Sequence, residues 1–314
     1  METVLVTGAN GYIASNLVPK LVGLGYKVIA LSREKMSPYE NAIHVEVNLL
    51  DKKSVQSVID QVDAIIHLGG NTSIYDAESN YSYSNEGSLM QVHRLIDAIH
   101  AQKRLIKFIF ASSASLYGVS PTLPAKESDY INPITIYDSH KMYCERDLVL
   151  ASQHGSMAAF IFRFANVYGF SKTMPLSRDR GIINQICGLA LQGKGVTIFG
   201  DGNFLRDYIH IDDVSDALIL TIQKEKIENA IFNLCTGRGI TIHDAFKYIL
   251  KVVEENFNVS NSIQMVPFPE QAHDIEKRNF VGDISKLKDY LDWEPQISFE
   301  DGINNLLHNL FNED

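Results

Sequence analysis

Tyr137 and Lys141 can move a proton together, because their types suit the task and they lie four positions apart. On a helix this spacing brings both side chains to one face. A tyrosine hydroxyl has a pKa of about 10 and is a poor base at neutral pH, but a neighbouring ammonium group lowers that pKa. Ser113 ends an apolar run and can hydrogen-bond the same substrate oxygen. The three residues predict acid/base catalysis at a substrate oxygen; the alternative is an incidental pair on a surface helix.

A glycine-rich turn near the start of the chain predicts a dinucleotide site. Gly8, Gly11 and Ala14 follow the apolar residues 4–6 and open a helical pattern. Gly8 permits a tight turn, Gly11 lets the backbone approach a pyrophosphate, and Ala14 allows the helix to pack on the strand. The amides and dipole of the helix N-terminus then bind the diphosphate. Together with the proton-transfer residues, the turn predicts hydride transfer between a nicotinamide and a substrate carbon, although its spacing also suits an ordinary glycine turn.

The end of the second predicted strand bears on the choice of cofactor. An NAD-selective site usually presents a carboxylate here to the ribose 2′-hydroxyl, but the sequence reads Leu31-Ser32-Arg33. Ser32 can hydrogen-bond a 2′-phosphate, and the Arg33 guanidinium can pair with its charge. These residues favour NADP over NAD; the alternative is that Arg33 is a solvated loop cation.

Short apolar runs rich in β-branched residues alternate with helical patterns along the first half of the chain. The predicted strands are residues 4–6, 28–31, 64–68, 108–111 and 159–162. The predicted helical stripes are residues 17–24, 89–99 and 137–148. This alternation predicts an α/β fold, a Rossmann-like doubly wound parallel sheet with a smaller C-terminal substrate-binding lobe. Both the glycine turn and Ser113 then lie at the carboxyl ends of strands, where such sheets bind ligands.

The predicted domain boundaries follow from where the alternation of strands and helices ends. Residues 1–168 are predicted to form the NAD(P)-binding Rossmann domain, with a returning segment at about 207–236. Residues 169–206 and 237–314 are predicted to form the substrate-binding lobe, since glycines and prolines there interrupt the pattern.

Composition excludes several classes of function. The 314 residues carry a formal net charge of −10, which argues against binding to nucleic acid or an anionic membrane. No apolar run has the roughly 18 residues that a membrane span needs. The three cysteines form no C-x-x-C pair and are expected to be buried free thiols in a reducing compartment, so we expect a cytoplasmic protein. His67, His140 and His210 lack metal-ligand spacing, and no metal is expected.

At this point the sequence resembles the extended short-chain dehydrogenase/reductases, specifically the NAD(P)-dependent nucleotide-sugar epimerase/dehydratase family. The resemblance covers nearly the whole chain. The matching positions are residues 7–14, 67–70, 112–118, 163–169, 200–202, 206–213, 283–286 and 291–295, with Asn85, Tyr137 and Lys141.

The resemblance implies roles for residues that spacing alone does not assign. Ser113, Tyr137 and Lys141 are catalytic in this comparison, and Asn85 is the helix residue that supports the active-site lysine. The implied cofactor-binding residues are Gly8, Asn10, Gly11, Tyr12, Ile13, Ser32, Arg33, Asn48, Leu49, Leu68, Gly69, Gly70, Asn85, Ser112, Tyr137, Lys141 and Phe164. The implied substrate-binding residues are Asn71, Ser113, Asn166, Arg206 and Arg278. The family also implies a nucleotide-sugar substrate and a homodimer.

Several positions depart from the family pattern. Many members have an aspartate near the adenine where this chain has Asn48, and Arg278 stands in for an arginine that others carry earlier. Sugar 4,6-dehydratases carry an acidic pair directly after the catalytic hydroxyl residue, whereas this chain has Ala114-Ser115, so dehydration is disfavoured. Arg206 is expected to contact the substrate diphosphate; a structural ion pair with a neighbouring aspartate, Asp207 or Asp212, is the alternative.

Three functions remain open from the sequence. The first, favoured by Arg33, is a 4-keto-sugar reductase that uses NADPH and transfers a proton through Tyr137. The alternative is a UDP-hexose-type 4-epimerase, which retains NAD, oxidises carbon 4 and returns hydride to the other face. A non-catalytic cofactor-sensing protein is a third hypothesis, although an intact Tyr137 and Lys141 argue against it.

Overall fold

The computed structural model describes residues 2–34, 39–119, 122–171, 181–225 and 229–313. The strands in these segments are β1 (Thr3–Thr7), β2 (Lys27–Ser32), β3 (Ile43–Glu46), β4 (Ala64–His67), β5 (Ile106–Ser113), β6 (Met157–Phe164), β7 (Asn166–Tyr168), β8 (Val196–Phe199), β9 (Leu205–His210), β10 (Ala230–Leu234), β11 (Gly239–Thr241) and β12 (Ile263–Val266).

The α-helices of the same segments are α1 (Tyr12–Gly23), α2 (Lys52–Ile59), α3 (Ile74–Ser79), α4 (Tyr81–Asn85), α5 (Gln91–His100), α6 (Ile136–Ser152), α7 (Ile182–Leu191), α8 (Ile211–Gln223), α9 (Ile242–Phe257), α10 (Ser285–Leu291) and α11 (Phe299–Glu313). A π-helical turn, Glu86–Met90, joins α4 to α5, and short 3₁₀ turns cover Ala114–Tyr117 and Asp274–Lys277.

A seven-stranded sheet in the described chain has the order β10-β6-β5-β4-β1-β2-β3. The strands from β5 to β3 pair in parallel, with Val4 opposite Val28 on one side and Ala64 on the other. Every residue of β1 and β6 is buried, as expected for parallel strands covered on both faces by helices. The predicted α/β fold and all five predicted strands are confirmed.

Local sequence signals mark the start of α6 and the end of α1. The Thr135 hydroxyl accepts the Asp138 amide at 3.0 Å and so begins α6, the helix of Tyr137 and Lys141. The turn between α1 and β2 has Gly25 at φ +85, which agrees with the predicted stop. The predicted helical stripes at 17–24, 89–99 and 137–148 correspond to α1, to the π turn with α5, and to α6.

The chain forms two compact units. The first comprises Met1–Leu116, Ile131–Arg163 and Ser215–Phe232, and its core lies between the sheet and helices such as α2, α5 and α6. The second comprises Tyr117–Tyr130, Phe164–Val214 and Asn233–Asp314, with a core built around α7, α9 and α11. The predicted division at residue 168 stays a prediction, and residues 172–180 of the predicted lobe lie outside the described residues.

Three further observations concern the whole described chain. Its cysteines, Cys144, Cys187 and Cys235, are buried free thiols, and burial raises the pKa of Cys144 to about 12. Among the described residues, no helix combines the length and apolarity that a bilayer crossing requires. The same residues include no group of three or more His, Cys, Asp and Glu side chains that could hold a metal ion.

Candidate active site

The glycine turn lies between the carboxyl ends of β1 and β4. Gly8 has φ +64, and a Cβ atom there would lie only 2.7 Å from the Gly69 amide nitrogen, so a side chain is excluded. The Gly11 amide donates to the Gly8 carbonyl at 2.8 Å. Tyr12 and Ile13 then begin α1, whose N-cap is Gly11. The dipole of this helix favours an anion at its N-terminus, as the diphosphate hypothesis requires.

The loop after β4 brings other predicted cofactor residues to the same edge. Leu68, Gly69 and Gly70 follow the strand directly, and the Gly69 amide donates to the Thr7 hydroxyl at 3.3 Å. A Cβ atom on Gly70 would lie 3.9 Å from the Lys141 ammonium nitrogen. The glycine turn, this loop and Lys141 are thus neighbours in the first unit.

The end of β2 differs from the sequence expectation. The Ser32 hydroxyl donates to the Glu34 carbonyl at 3.0 Å and accepts the Glu34 amide at 3.2 Å, while Arg33 is exposed. The Asn10 side-chain amide donates to the Glu34 carboxylate at 2.9 Å. A carboxylate therefore does lie against the glycine turn, contributed two positions beyond the strand end. Glu34 is not evident from the sequence pattern, because the carboxylate of an NAD site is expected at the end of the strand itself.

Tyr137 and Lys141 share one face of α6, as their spacing predicts. The Lys141 ammonium lies 5.8 Å from the Tyr137 ring centroid and 4.8 Å from that of Phe110. It donates to the Ala111 carbonyl at 2.7 Å. Burial lowers the pKa of Lys141 below its usual range, opposed by the smaller effects of Cys144 and Glu145. A buried ammonium at this distance acts on the tyrosine with little screening by water.

Ser113 belongs to a series of hydrogen-bonded side chains that local sequence patterns do not predict. Its hydroxyl lies 2.8 Å from the Ser115 hydroxyl and accepts the Ser115 amide at 3.2 Å. The Ser115 hydroxyl in turn donates to the carboxylate of Asp138, which is fully buried. In the sequence, the only indication of this series is that Asp138, a charged residue, directly follows Tyr137. Helical spacing does not predict that Asp138 is buried.

Glu145, four positions after Lys141 on α6, forms a buried ion pair with Arg163 on β6. The Arg163 guanidinium donates to both carboxylate oxygens of Glu145, at 2.8 Å for its closest contact, and both side chains are about 4–5% exposed. The Ser112 hydroxyl donates to the same carboxylate. Ser112 is predicted to bind cofactor, but its side chain is directed to Glu145. This network joins β5, β6 and α6 and so positions the helix that carries Tyr137 and Lys141.

The predicted asparagines occupy different settings. Asn85 ends α4 just before the π turn, and its buried Oδ1 has no hydrogen-bond partner in the described part of the chain. The Asn71 Oδ1 accepts the Ser73 amide at 2.9 Å. Asn48 is exposed and its side chain accepts the Leu50 amide, whereas the adjacent Leu49 is buried. The buried Nδ2 of Asn71 likewise has no hydrogen-bond partner among the described residues. Asn85 lies beside a π turn, a frequent feature of functional sites.

His67, at the end of β4, is buried and neutral. Its Nδ1 lies 2.6 Å from the Thr7 hydroxyl, and its ring stacks on Phe110. Burial, with a smaller contribution from the Lys141 charge, lowers the pKa of His67 to about 3. The ring therefore adds no charge beside the lysine at neutral pH.

The remaining predicted substrate residues lie in the second unit. Arg206 on β9 is 4% exposed and donates to the Glu276 carbonyl at 2.7 Å and to the Arg278 carbonyl. Burial, followed by the charge of Arg278, lowers the pKa of Arg206 to about 9. Asn166 on β7 is paired in register with Tyr208, whose buried hydroxyl has no partner among the described residues. The buried Phe164 ends β6.

Arg206 does not form an ion pair with Asp207, which was one of the two aspartates considered as a structural partner. The Asp207 carboxylate accepts the Thr236 amide at 2.8 Å, the Thr236 hydroxyl at 2.7 Å and the Gly237 amide at 2.9 Å. Among the described residues Arg206 donates to backbone carbonyls only. Arg206 and Arg278 thus lie near one another, and among the described residues no carboxylate accepts a hydrogen bond from Arg206, although the charge of Glu276 acts on it.

Comparison with known proteins agrees with this arrangement. The family model of the NAD dependent epimerase/dehydratase family matches residues 4–235. A UDP-glucose 4-epimerase of Bacillus subtilis is 28% identical over 281 residues, 79% of this chain and 81% of that protein. UDP-glucuronic acid decarboxylase 1 of Arabidopsis thaliana is 26% identical over 99% of this chain and 71% of its own length. The crystal structure of UDP-glucose 4-epimerase from Thermotoga maritima with UDP-glucose has a TM-score of 0.87 and 28% identity, covering 99% of both chains.

Proposed function

The chain belongs to the NAD dependent epimerase/dehydratase family, whose relatives act on nucleotide sugars, and we propose that it is a 4-epimerase of a UDP-hexose that retains NAD. The epimerase hypothesis fits these relatives better than net reduction of a keto-sugar, which none of the relatives described above specifically supports. The choice between epimerase and reductase depends on whether the residues around the cofactor site favour NAD or NADP.

Glu34 is the observation that carries this proposal. A carboxylate hydrogen-bonded by Asn10 of the glycine turn can accept the ribose 2′-hydroxyl of NAD and would repel the 2′-phosphate of NADP. The NADP preference expected from Ser32 and Arg33 loses support, because Ser32 bonds the Glu34 backbone and Arg33 is exposed. Gly8 and Gly69 let the two loops pack backbone to backbone beside the N-terminus of α1, an arrangement compatible with the diphosphate of either cofactor.

The chain's residues would divide the chemistry as follows. Bound NAD would supply a hydride acceptor at the sugar carbon. Tyr137 would take the proton from the 4-hydroxyl and later return it, with its phenolate favoured by the Lys141 ammonium 5.8 Å from its ring centroid. Ser113 would hydrogen-bond the same oxygen and hold it beside Tyr137. Return of the hydride to the opposite face of the sugar makes the overall reaction redox-neutral.

Arg206 and Arg278 support a phosphorylated substrate. Burial of Arg206, followed by the positive charge of Arg278, disfavours the charged form of Arg206. An anion would relieve both effects, and phosphate oxygens match a guanidinium fork. We therefore assign the diphosphate of the nucleotide sugar to this pair, with Asn166 as an amide donor nearby on β7.

The test uses the purified protein without added cofactor. Mass spectrometry of the nucleotides released on denaturation is expected to identify NAD, and incubation with UDP-glucose is expected to yield UDP-galactose, followed by NMR. A requirement for NADPH with a keto-sugar would instead establish a reductase. Release of CO₂ from UDP-glucuronic acid would establish a decarboxylase. No hydride transfer with any of these compounds would favour a cofactor-sensing protein.

A further inference from the structure

We propose that Glu145 and Arg163 are positioning residues for proton transfer and act as a balanced pair. Together they hold α6 in place, and either charge without the other would change the protonation of Tyr137. This inference rests on the acid/base role of Tyr137 in the proposed function. Neither member of the pair is assigned a contact with substrate or cofactor.

The pair connects the helix of the proton-transfer residues to two strands of the sheet. Glu145 is four positions after Lys141, so the two side chains lie on one face of α6. Arg163 of β6 donates to the Glu145 carboxylate at 2.8 Å and 3.1 Å, and Ser112 of β5 donates to the same group. Lys141 itself donates to the Ala111 carbonyl, one residue before Ser112 on β5. The helix turn that carries the lysine is therefore fixed to the sheet on both sides of its ammonium group.

A single unbalanced charge at this position would reach Tyr137. Glu145 is eight positions beyond Tyr137 on the same helix, about 12 Å along its axis. Both members of the pair are about 4–5% exposed, so water screens them little. At an effective dielectric constant of about 20, one unit charge at this distance changes an ionisation constant by roughly tenfold. Since Arg163 contacts the Glu145 carboxylate directly, the two opposite charges largely cancel at the tyrosine.

The effect of Glu145 on Lys141 is consistent with this range. Burial lowers the pKa of Lys141, and the charges of Cys144 and Glu145 oppose that decrease. The ammonium group therefore responds to the charge of Glu145 although its own hydrogen bond is to a backbone carbonyl. A change in the balance of the pair acts on Lys141 and Tyr137 together.

Three other ionisable groups close to Lys141 and Tyr137 are neutral at physiological pH. Burial, followed by the Lys141 charge, lowers the pKa of His67 to about 3, and burial raises the pKa of Cys144 to about 12. Burial also lowers the pKa of His140, the residue before Lys141. None of the three adds a charge to the site.

The charged groups that lie on α6 or contact it from other elements have partners of their own. Asp138 accepts the Ser115 hydroxyl, Glu78 of α3 accepts the amide at the start of α6, and Asp147 pairs with His93 of α5. All of them are unchanged when the pair alone is substituted. Their effects on Tyr137 therefore cancel when such variants are compared with the wild type.

The experiment titrates Tyr137 in the holoprotein by the ultraviolet absorbance of the phenolate. The same titration of each protein with Tyr137→Phe added is subtracted, so that only this tyrosine is recorded. Glu145→Gln leaves the Arg163 cation unbalanced and is expected to lower the apparent pKa of Tyr137 by about one pH unit. Arg163→Gln leaves the Glu145 carboxylate unbalanced and is expected to raise it by about the same amount.

The double variant Glu145→Gln/Arg163→Gln separates charge balance from structure. It loses the ion pair entirely but leaves no net charge, so its Tyr137 midpoint is expected to stay near that of the wild type. Asp147→Asn also removes one negative charge from α6, at a partly exposed side chain, and is the matched control. Its midpoint should remain at the wild-type value because water screens that carboxylate.

A purely structural role predicts a different result. It would make the double variant differ from the wild type at least as much as either single variant, and it gives no reason for opposite shifts. Single variants with an unchanged midpoint, or with shifts in the same direction, overturn the inference. If Glu145→Gln does not fold, Arg163→Gln and the double variant carry the test.

The phenolate titration needs no turnover, so it distinguishes this inference from the proposed function. A wild type that interconverts UDP-glucose and UDP-galactose, with unshifted midpoints in the single variants, overturns the inference alone. Opposite shifts in a protein that interconverts no nucleotide sugar overturn the proposed function and support the coupling of the pair to Tyr137.

Discussion

The Lys141 ammonium donates to the Ala111 carbonyl at 2.7 Å and lies 5.8 Å from the ring centroid of Tyr137. The Ala111 carbonyl on β5 therefore holds the cation beside the tyrosine. The Lys141 ammonium is buried, and the effective dielectric constant is lower there than in water. Its attraction to an anionic phenolate is therefore stronger than at the surface. We therefore expect the activity to be sensitive to substitution of Tyr137.

Tyr137→Phe is expected to lower kcat by roughly 10²–10⁴, the usual contribution of general acid/base catalysis. Affinity for NAD should remain close to wild type, because only the hydroxyl is removed. Stopped-flow measurement of hydride transfer, with calorimetry of NAD binding, checks both expectations. Tyr143→Phe, an exposed position on the same helix, is the matched control. Full activity of Tyr137→Phe would remove the residue from the mechanism.

Glu34→Gln is expected to weaken NAD binding by about tenfold and to reduce discrimination against NADP, because a charged acceptor and its repulsion of phosphate are both lost. The measurement is the ratio of the two dissociation constants for the apoprotein. Glu40→Gln, at an exposed position in the following segment, should not change this ratio. A wild type that binds NADP as tightly as NAD would contradict the assignment of Glu34.

Arg163→Met is expected to destabilise the protein by about 3–5 kcal/mol, since it leaves the Glu145 carboxylate buried without its partner. The double variant Arg163→Met/Glu145→Leu should be less destabilised than the sum of the two single variants, because no charge is left unpaired. Chemical denaturation of all four proteins gives the coupling. Simple additivity would show that the pair contributes no specific stability.

Acid should destabilise the fold through His67. Its folded pKa of about 3 lies below the ordinary value of 6.5, so the unfolded chain binds more protons between these values. The contribution is complete above pH 6.5 and is lost progressively as the pH falls towards 3, by up to ~1.4 kcal/mol per pH unit.

His67→Gln keeps a hydrogen-bonding side chain near Thr7 without a titrating ring, so it is expected to flatten this part of the pH–stability curve. Thermal melts at several pH values check the slope. His308→Gln, at an exposed position of α11, serves as control. An identical slope in His67→Gln and wild type would show that another group controls the acid limit.

Arg206→Lys is expected to raise the dissociation constant of the nucleotide sugar about tenfold or more, because lysine keeps the charge but loses the planar fork. The melting temperature will report any cost of losing the bonds to the Glu276 and Arg278 carbonyls. Arg238→Lys, at an exposed position of the same unit, is the control. Unchanged affinity in Arg206→Lys would confine that residue to a structural role.

Local patterns in the sequence were enough to predict the strand, glycine turn and helix at the N-terminus, and the shared face of Tyr137 and Lys141. Both depend on residues close together in the chain, where turn conformation and the helical repeat fix relative positions. The carboxyl ends of parallel strands also meet at one edge, so the sequence alone placed Ser113 and the glycine turn there.

Only the tertiary structure decided which polar side chains complete the site. Asn10 meets Glu34, Ser115 meets Asp138, and Glu145 meets Arg163 across separations of 24, 23 and 18 residues. No local period encodes such contacts, because they depend on how neighbouring elements pack. Asp138 shows the limit most clearly: a charged residue is normally assigned to a solvated helix face, and only packing around α6 buries this one against Ser115.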